Sequence, residues 1–367
     1  MNGALWKGIR VITPQEVSPN LSTPRHAKLG FVTPGPGSFA KLAMAATTVA
    51  RRPTVCIGDV HGHLIRLHAL WRNLEAGLGA LFASATVIFL GDYCDRGPDT
   101  AGVLDFLVAL PTSYPSQKHV FLCGNHDFGM SAFLGLLPAV PGFPFSRTWE
   151  GTKGAEEKQE AEGWWSGRGF EDMHLQGRRW GGRVKAKFNV KKNMEYRGSI
   201  FDSEPTFSSY GVEHGDREGL LGAVPEDHKA FLRKLVWIYE QDGSESCGKL
   251  VAVHAGLEAA RPLEEQLRVL REKDVRLSRH ENMLGRSNVW NAPEELVKDG
   301  VMVVSGHHGS LHMESHRLII DESGGQDNMP LAAVVLPGRQ IVRDTDSIGH
   351  VLDGLAQSPL SLQASAD

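Results

Sequence analysis

Three short polar segments, each placed directly after an apolar, β-branched run, constrain this chain more than any other feature. They are Gly58-Asp59-Val60-His61-Gly62, Gly91-Asp92-Tyr93-Cys94-Asp95-Arg96-Gly97 and Gly124-Asn125-His126-Asp127. Two later segments have a similar form, Val253-His254-Ala255-Gly256 and Ser305-Gly306-His307-His308. An apolar run that stops at glycine and polar residues is typical of a buried strand leading into a loop. We therefore expect a sheet whose strand ends carry polar groups.

The residues between these segments predict an α/β fold. Apolar runs over 54–57, 86–90 and 119–123 indicate strands, and the apolar residues between them recur at helical spacing. Asp99 or Thr100 is expected to cap a helix that runs to Leu110. Later runs predict strands over 249–253, 301–304, 317–320, 331–336 and 340–343, and helices over 226–240 and 263–270. Strands that alternate with helices favour βαβ units and a largely parallel sheet.

Three regions differ in character along the chain. Residues 1–50 are predicted to be a disordered leader or a transit segment, since residues 1–43 hold five basic side chains, five prolines and one acid, Glu16. Met44 resembles an internal start. Residues 51–347 form the predicted catalytic domain, with an irregular insertion over about 141–220, and residues 348–367 form a flexible tail. The basic stretch 178–197 in the insertion predicts a solvated hairpin face or a docking surface.

The overall composition limits the partners. A net charge of −4 and a pI of 6.5 argue against a nucleic-acid binder. No apolar run approaches the roughly 20 residues that cross a membrane. Four cysteines in 367 residues do not form a disulfide framework, which favours the cytoplasm or nucleus. An organelle is the alternative if residues 1–43 are a working transit peptide. The sequence does not indicate an oligomeric state.

Polar donors at the strand ends predict a site for two metal ions. Ligands gather at the carboxyl ends of strands in an α/β sheet, and five strand ends supply Asp59, Asp92, Asn125, His254 and His307. Carboxylate, imidazole and amide donors suit two divalent ions, with manganese preferred and iron or zinc as alternatives. The first metal is predicted on Asp59 and His61, Asp92 bridges, and Asn125, His254 and His307 complete the second. Such a pair activates a shared water, so metal-bound hydroxide is the predicted nucleophile against phosphorus.

Neighbouring residues predict the rest of a phosphate-cleaving site. His126 is the candidate general acid, and Asp95 is expected to orient its ring. Arg96, Asn125 and, as a second clamp, Arg286 are the candidate substrate-binding residues. Cys94 lacks the phosphate loop of a thiol phosphatase. His308 is expected to be a packed residue, His63 a surface or helix-face residue, and His174 to have no partner.

The segments around these residues resemble the phosphoprotein phosphatase family of calcineurin-like metallophosphoesterases. The chain departs from its pattern at Cys94, Asp127 and Ala255. Together with Gly163-Trp164-Trp165, the segment 169–180 and Ser305-Gly306-His307-His308-Gly309, these departures resemble the Rhizobiales-like tyrosine phosphatases of plants. The resemblance covers roughly residues 51–346. It implies two central β-sheets flanked by helices, the metal roles given above, and phosphotyrosine in a phosphorylated protein as the substrate.

Other functions remain open at this point. The same metal centre could serve a Ser/Thr phosphatase or a dinucleoside polyphosphate hydrolase, because all three reactions require the same attack on phosphorus. A pseudophosphatase that binds phosphopeptides without turnover is a further alternative, although the complete ligand set speaks against it.

Overall fold

Two five-stranded sheets form the centre of the molecule, as the computed structural model shows. It describes residues 52–150, 160–183, 197–243 and 248–347. The predicted leader (1–50) and tail (348–367) lie outside the described residues, as do Lys185, Lys187, Lys191 and Lys192 of the basic stretch.

Three strands of the first sheet lead directly into the polar segments at 58–62, 91–97 and 124–127. Its strands are β1 (Thr54–Ile57), β2 (Thr86–Phe89), β3 (Lys118–Phe121), β9 (Ala332–Leu336) and β10 (Gln340–Arg343), in the order β10-β9-β1-β2-β3. The neighbours β1, β2 and β3 run parallel, whereas β9 lies antiparallel to both β1 and β10. The hairpin predicted at Pro337 and Gly338 is confirmed by the pairing of β9 with β10.

The second sheet contains the two later polar segments. Its strands are β4 (Ile238–Asp242), β5 (Lys249–Val253), β6 (Met302–Ser305), β7 (Leu311–Met313) and β8 (Arg317–Ile320), in the order β4-β5-β6-β8-β7. The strands β5, β6 and β8 run parallel, and the two edge strands are antiparallel to their neighbours. Both sheets are thus mixed, and the expectation of a largely parallel sheet holds only for their central strands.

Alternate residues along the strands hold the two sheets together. Since successive strand side chains point to opposite faces, one set from each sheet meets in a shared buried cluster: Cys56, Ile88, Leu90, Val120, Leu122, Leu250, Ala252, Val304, Leu318, Ile320, Ala332, Val334 and Leu336. The sheets approach closely at Gly58, where a Cβ atom would lie 2.1 Å from the Ile320 carbonyl oxygen. Only glycine fits at this contact.

Helices cover the outer faces of both sheets, as expected. The described helices are α1 (Leu64–Leu78), α2 (Thr100–Ser113), α3 (Asn125–Phe133), α4 (Leu175–Gly181), α5 (Glu204–Ser209), α6 (Arg217–Ala223), α7 (Glu226–Lys234), α8 (Leu263–Glu272), α9 (Glu281–Leu284) and α10 (Glu294–Lys298). Asp99 caps α2 as predicted, with its side chain accepting from the Gly102 N–H. The outward strand residues Val55 and Val87 share a buried cluster with Leu70 and Leu104 of these helices.

The prediction of one helix over 226–240 was wrong. Helix α7 ends at Lys234, and β4 begins at Ile238. The residues Val236, Trp237, Ile238 and Tyr239, which lie before and at the start of β4, are β-branched or aromatic and fit a strand better than a helix. The short edge strand β7 was also missed. The insertion forms three short helices, α4 to α6, joined by irregular segments in its described parts.

Two further properties concern cysteine and membranes. Cys94 and Cys123 are buried free thiols, Cys56 is also buried, and burial raises the pKa of the Cys94 thiol well above its usual range. A nucleophilic role for Cys94 is therefore disfavoured. Within the described ranges, every helix is too short or too polar to cross a bilayer.

Candidate metal centre

The predicted ligands meet at one edge of the paired sheets. Asp59 and Asp92 follow β1 and β2 of the first sheet, and Asn125 opens α3 after β3. His254 and His307 follow β5 and β6 of the second sheet. All of these side chains are buried, as is that of His61. The structure therefore brings all six predicted ligands into one pocket with contributions from both sheets.

Asp92 lies at the centre of this pocket. Its Oδ2 atom is 3.3 Å from His254 Nε2, 3.6 Å from His61 Nε2 and 3.9 Å from His126 Nε2. Two groups of possible ligands share it, one with His61 and His126 and the other with His254 and His307. The oxygen Asn125 Oδ1 lies 3.1 Å from His254 Nε2. A carboxylate common to both groups is the geometry expected of a bridge between two cations.

Hydrogen bonds at the far side of each ring prepare the histidines for metal binding. His254 Nδ1 is 2.7 Å from the Leu90 carbonyl oxygen, and His61 Nδ1 is 3.0 Å from that of Cys94. A carbonyl accepts only from a protonated nitrogen, so in the neutral form of each ring Nε2 has a lone pair directed at the pocket. His307 Nε2 is buried and has no hydrogen-bond partner among the described residues. An unsatisfied buried nitrogen is costly, and a cation would satisfy it, so the residues fit two divalent ions.

The charge distribution in the pocket also favours the binding of cations. Burial and the neighbouring carboxylates of Asp321 and Asp92 raise the pKa of Asp59 well above its usual range. Burial lowers the pKa of His61 and of His307 well below the ordinary value. These imidazoles are therefore neutral, which is the form that binds metals. Positive ions would relieve the repulsion among the carboxylates.

Backbone conformations at the site are unusual. Among the described residues, five of the eight non-glycine positions with positive φ lie here: His61, Asp92, Asp95, Arg96 and His307, with φ between 47° and 72°. Such conformations cost on the order of 1–3 kcal/mol each and persist only where the surroundings enforce them. The fold thus holds these side chains in place at the expense of local strain.

Two predicted residues have contacts beyond their expected roles. The carboxylate of Asp59 is 3.9 Å from His61 Nε2 and also accepts from the His307 backbone N–H at 3.0 Å. His126, expected to be only the acid, lies at ligand distance from Asp92 and His61. Both roles of His126 are therefore compatible with the geometry.

A buried carboxylate orients His126. His126 Nδ1 is 2.7 Å from Asp95 Oδ2, which also accepts from Trp180 Nε1 at 2.8 Å. The other oxygen of Asp95 accepts from Thr206 Oγ1 at 2.7 Å. The expected pairing of Asp95 with His126 is present, and Asp95 itself is held by two residues of the insertion that sequence reasoning missed.

Four arginines surround the open side of the pocket. The cleft of about 130 Å³ is lined by Arg96, Arg179, Arg279 and Arg286, together with Asp92, Asn125, His126, Ile200, Phe201, Leu284 and His307. Arg286 donates to the His307 carbonyl oxygen, so this weaker sequence candidate does lie at the site. Arg96 Nη1 is 2.9 Å from His61 Nε2, and Nη2 is 3.2 Å from His126 Nε2. A cleft with four guanidinium groups is suited to an anionic ligand such as a phosphate.

Comparison with known families agrees with this geometry. The family model described as calcineurin-like phosphoesterase matches residues 52–333, which is most of the chain. The chain belongs to the calcineurin-like phosphoesterase family. Its members use a dinuclear metal site, and the six buried ligands around Asp92 fit one.

Solved structures similar to this phosphoesterase belong to proteins named for several different activities. A putative diadenosine tetraphosphatase is 20% identical with a TM-score of 0.40, covering 81% of this chain and 94% of its own. A cold-active protein-tyrosine phosphatase of a psychrophilic Shewanella species is 14% identical with a TM-score of 0.43, covering 80% and 77%. A protein serine/threonine phosphatase from Saccharomyces cerevisiae is 13% identical with a TM-score of 0.39, covering 82% and 78%. Likenesses at this level do not distinguish the substrates.

The insertion supplies several site residues of the phosphoesterase that the sequence did not reveal. Helix α4 packs closely on α3, since a Cβ atom on Gly177 would lie 2.7 Å from the Phe133 nitrogen. This contact brings Trp180 to Asp95 and Arg179 to the cleft. The guanidinium of Arg179 is in turn fixed by Glu160, at 2.6 and 3.3 Å. A buried tryptophan whose indole N–H needs a partner was the available signal.

The residue Asp127, which departs from the family pattern, holds the Asp92 loop. Its Oδ2 atom accepts from the backbone N–H groups of Asp92 and Gly124, at 2.7 and 2.9 Å, and Oδ1 accepts from Tyr93 at 2.8 Å. Burial and the nearby Asp92 raise the pKa of Asp127 to about 6. Gly124 lies against the same loop, where a Cβ atom would be 2.1 Å from Asp92 Oδ1. Asp127 thus supports the site without facing the cleft.

Three other histidines have hydrogen-bond partners, and two of them, His63 and His174, are buried. His63 was expected at the surface but is buried, with Nε2 3.1 Å from the Gly325 carbonyl oxygen. His174 was expected to lack a partner, yet its Nε2 is 3.1 Å from the Leu277 carbonyl oxygen and its Nδ1 accepts from the Gln176 N–H. His308 is packed as predicted, with Nε2 2.8 Å from the Ala255 carbonyl oxygen.

Proposed function

We propose that this phosphoesterase is a dinuclear-metal protein phosphatase that hydrolyses phosphotyrosine. The observation that carries the proposal is the cleft over Asp92, in which four arginines and the His126–Asp95 pair surround the predicted metal ligands. A phosphate monoester needs each of these parts. It needs positive charge around its oxygens, an activated water and a proton for the leaving group.

The metal roles follow the sequence assignment. Asp59 and His61 would hold the first ion, Asp92 would bridge, and Asn125, His254 and His307 would hold the second. Manganese is the first ion to test, with iron and zinc as alternatives. When bound, two such cations supply a water of lowered pKa and positive charge beside the phosphoryl oxygens.

Arginine side chains would bind the phosphoryl group. Arg96 presents a planar fork that matches two phosphoryl oxygens. Its Nη1 atom now contacts His61 Nε2, a nitrogen whose lone pair a cation would use. A cation and Arg96 therefore compete for this nitrogen, and a phosphate in the cleft offers the guanidinium other acceptors. Arg286, beside His307, is placed to clamp a further oxygen.

His126 would protonate the leaving oxygen as the bond to phosphorus breaks. Its Nδ1 proton is held by Asp95, so the exchangeable proton resides at Nε2, which faces the cleft. Arg96 Nη2 lies 3.2 Å from that same Nε2. A guanidinium N–H and a protonated Nε2 cannot share this contact, so a phosphate that binds Arg96 would leave Nε2 free to face the leaving oxygen.

Selectivity for phosphotyrosine would come from the apolar side of the cleft. Ile200, Phe201 and Leu284 line it together with the arginines. The ring of Phe201 lies 5.2 Å from that of His126, in an edge-to-face arrangement. A tyrosine ring can pack on such a surface, whereas a serine or threonine side chain has too little apolar area to make this contact. The resemblance of segment 169–180 to Rhizobiales-like tyrosine phosphatases supports the same choice.

A phosphorylated protein is the proposed partner, rather than a nucleic acid or a membrane. The net charge of −4 gives no general attraction to a phosphate backbone. We propose the cytoplasm or nucleus as the compartment, since free buried thiols suit a reducing environment.

A matched substrate panel tests the proposal. Full-length protein loaded with Mn²⁺ would be given two peptides of identical flanks, one with phosphotyrosine and one with phosphothreonine, and also diadenosine tetraphosphate. We expect kcat/KM to be at least about tenfold higher for phosphotyrosine, the value of one good aromatic contact. An Asp92→Asn variant controls for contaminating phosphatases. Equal or reversed peptide preference would refute tyrosine selectivity.

The alternatives give different results in the same panel. A Ser/Thr phosphatase favours the phosphothreonine peptide, and a dinucleoside polyphosphate hydrolase cleaves only the nucleotide. A pseudophosphatase binds the phosphopeptides with metal present but turns none of them over. Each of these outcomes would replace the proposal.

A further inference from the structure

Two loops meet behind the cleft at a single buried carboxylate. Asp321 comes directly after β8 and is 2% exposed. Its Oδ2 atom accepts from the Gly309 N–H at 2.5 Å, and its Oδ1 atom accepts from the Gly324 N–H at 2.9 Å. The loop after β6 and the loop after β8 are therefore joined through one side chain.

Each of these loops carries part of the site. The loop after β6 contains His307, the ligand whose Nε2 has no partner in the described part of the chain. In the loop after β8, the Gly324 carbonyl oxygen accepts from Arg96 Nη1 at 2.6 Å. Asp321 is thus linked through Gly309 to the loop of the predicted ligand His307, and through Gly324 to the candidate phosphate-binding residue Arg96.

Close contact holds the second loop against the site. Gly325 has a φ of +71°, and a Cβ atom there would lie 2.6 Å from both Arg96 Cδ and His61 Cδ2. Its carbonyl oxygen is 3.1 Å from His63 Nε2, and Arg66 donates to the next carbonyl, that of Gln326, at 3.0 Å. The far end of the loop is therefore anchored to α1 and its cap, while Asp321 holds the near end.

We propose that Asp321 is a positioning residue that couples the phosphate-binding arginine to the metal-ligand loop. It keeps Gly324 where its carbonyl directs Arg96, and it keeps Gly309 where the loop directs His307. This inference rests on the proposed function, because it takes Arg96 to bind the phosphoryl group. An Asp321→Asn substitution tests the inference at nearly constant side-chain volume. The amide oxygen can still accept from one backbone N–H, but the amide NH2 cannot accept from the other, so one of the two loops is released.

A double-mutant cycle with inorganic phosphate as the probe measures the coupling. Phosphate would be assayed as a competitive inhibitor of p-nitrophenyl phosphate hydrolysis by the Mn²⁺-loaded full chain. We expect Asp321→Asn to weaken phosphate inhibition roughly tenfold in the native background, but less than about twofold when Arg96 is already alanine. We also expect weaker Mn²⁺ binding by calorimetry without substrate, since the His307 loop is affected.

Controls separate positioning from a general loss of structure. Asp344→Asn makes the same change at a carboxylate that accepts at 2.8 Å from the N–H of Leu331, the last residue before β9, and has no described contact with Gly309 or Gly324. It should leave phosphate inhibition and Mn²⁺ binding unchanged. If Asp321→Asn fails to fold, Asp321→Ser leaves a single acceptor oxygen for the two backbone donors and should give the same pattern in the cycle.

Two failures are distinguishable. If Arg96→Ala weakens phosphate inhibition but Asp321→Asn has the same effect in both backgrounds, the two residues act independently and the inference about Asp321 is overturned. If Arg96→Ala leaves inhibition unchanged, the phosphate-binding role of Arg96 in the proposed function fails, and the inference falls with it.

Discussion

Replacing His126 by alanine distinguishes the two roles that its position allows. As a general acid, His126 acts through Nε2, with Nδ1 held 2.7 Å from Asp95. As a metal ligand, it would act through the same Nε2 atom, which lies 3.9 Å from Asp92 Oδ2. The first role affects only proton delivery to the leaving group, whereas the second affects ion binding for every substrate.

The expected loss depends on the leaving group if His126 is the acid. A positioned acid contributes about 10²–10⁴-fold, so we expect a loss in this range for alkyl phosphates. The phenol of tyrosine has a pKa of about 10, which makes phosphotyrosine less dependent on the proton. For p-nitrophenyl phosphate, whose phenoxide is stable without a proton, the loss should be under about tenfold.

The assay compares kcat/KM across a series of aryl and alkyl phosphates, with Mn²⁺ affinity measured in parallel. His312→Ala is the matched control, since His312 packs against Trp290 with its ring tilted by 60° and does not line the cleft. The reasoning is refuted if His126→Ala slows all substrates equally and also weakens Mn²⁺ binding. That result would assign His126 to the first metal.

Three more predictions follow from the site and its surroundings. Asp92→Asn should lower turnover by more than roughly 100-fold and weaken binding of both ions, because Asp92 lies in both ligand groups; full metal stoichiometry with normal turnover would contradict the bridge. Trp180→Phe should reduce the free energy of unfolding by about 2 kcal/mol in urea titrations, because it removes an N–H donor from the buried Asp95 carboxylate; an unchanged midpoint would count against this. Burial lowers the pKa of His174 to about 3 and of His280 to about 4. Below pH 6.5 the unfolded chain therefore binds more protons than the folded chain, and the free energy of unfolding decreases as the pH is lowered. The expected slope is about 1.4 kcal/mol per pH unit for each histidine, and a His280→Met variant should show a shallower slope in denaturant titrations between pH 6.5 and 5.

The convergence of the candidate metal ligands was predictable because these residues adjoin the strands that position them. A short β-branched run followed by glycine and a polar residue specifies both the strand and the direction in which its end points, as at Asp59 and Asp92. Parallel strands then place such ends at one edge. The same pattern predicted the positions of His254 and His307 after strands of the second sheet, although it did not predict the antiparallel edge strands β4 and β7 of that sheet.

Residues that reach the site through tertiary packing were not predictable in this way. Arg179 and Trp180 lie on a short helix of the insertion, and their places depend on how α4 packs on α3. Arg279 and Thr206 have no local pattern that marks them as site residues. The helix predicted over 226–240 failed for a related reason, because β4 is defined by its pairing with β5 and not by helical periodicity.

Because the candidate metal ligands come from two sheets, the lifetime of the protein should depend on the supply of metal ions. Asp59 and Asp92 extend from one layer and His254 and His307 from the other, so ions bound to them would cross-link layers that otherwise meet mainly through apolar side chains. At a free ion concentration 100 times Kd, one such ion adds about 2.7 kcal/mol of resistance to unfolding. A cell depleted of the ion would therefore contain less of this enzyme, since the apo form exposes its interior to proteases more often.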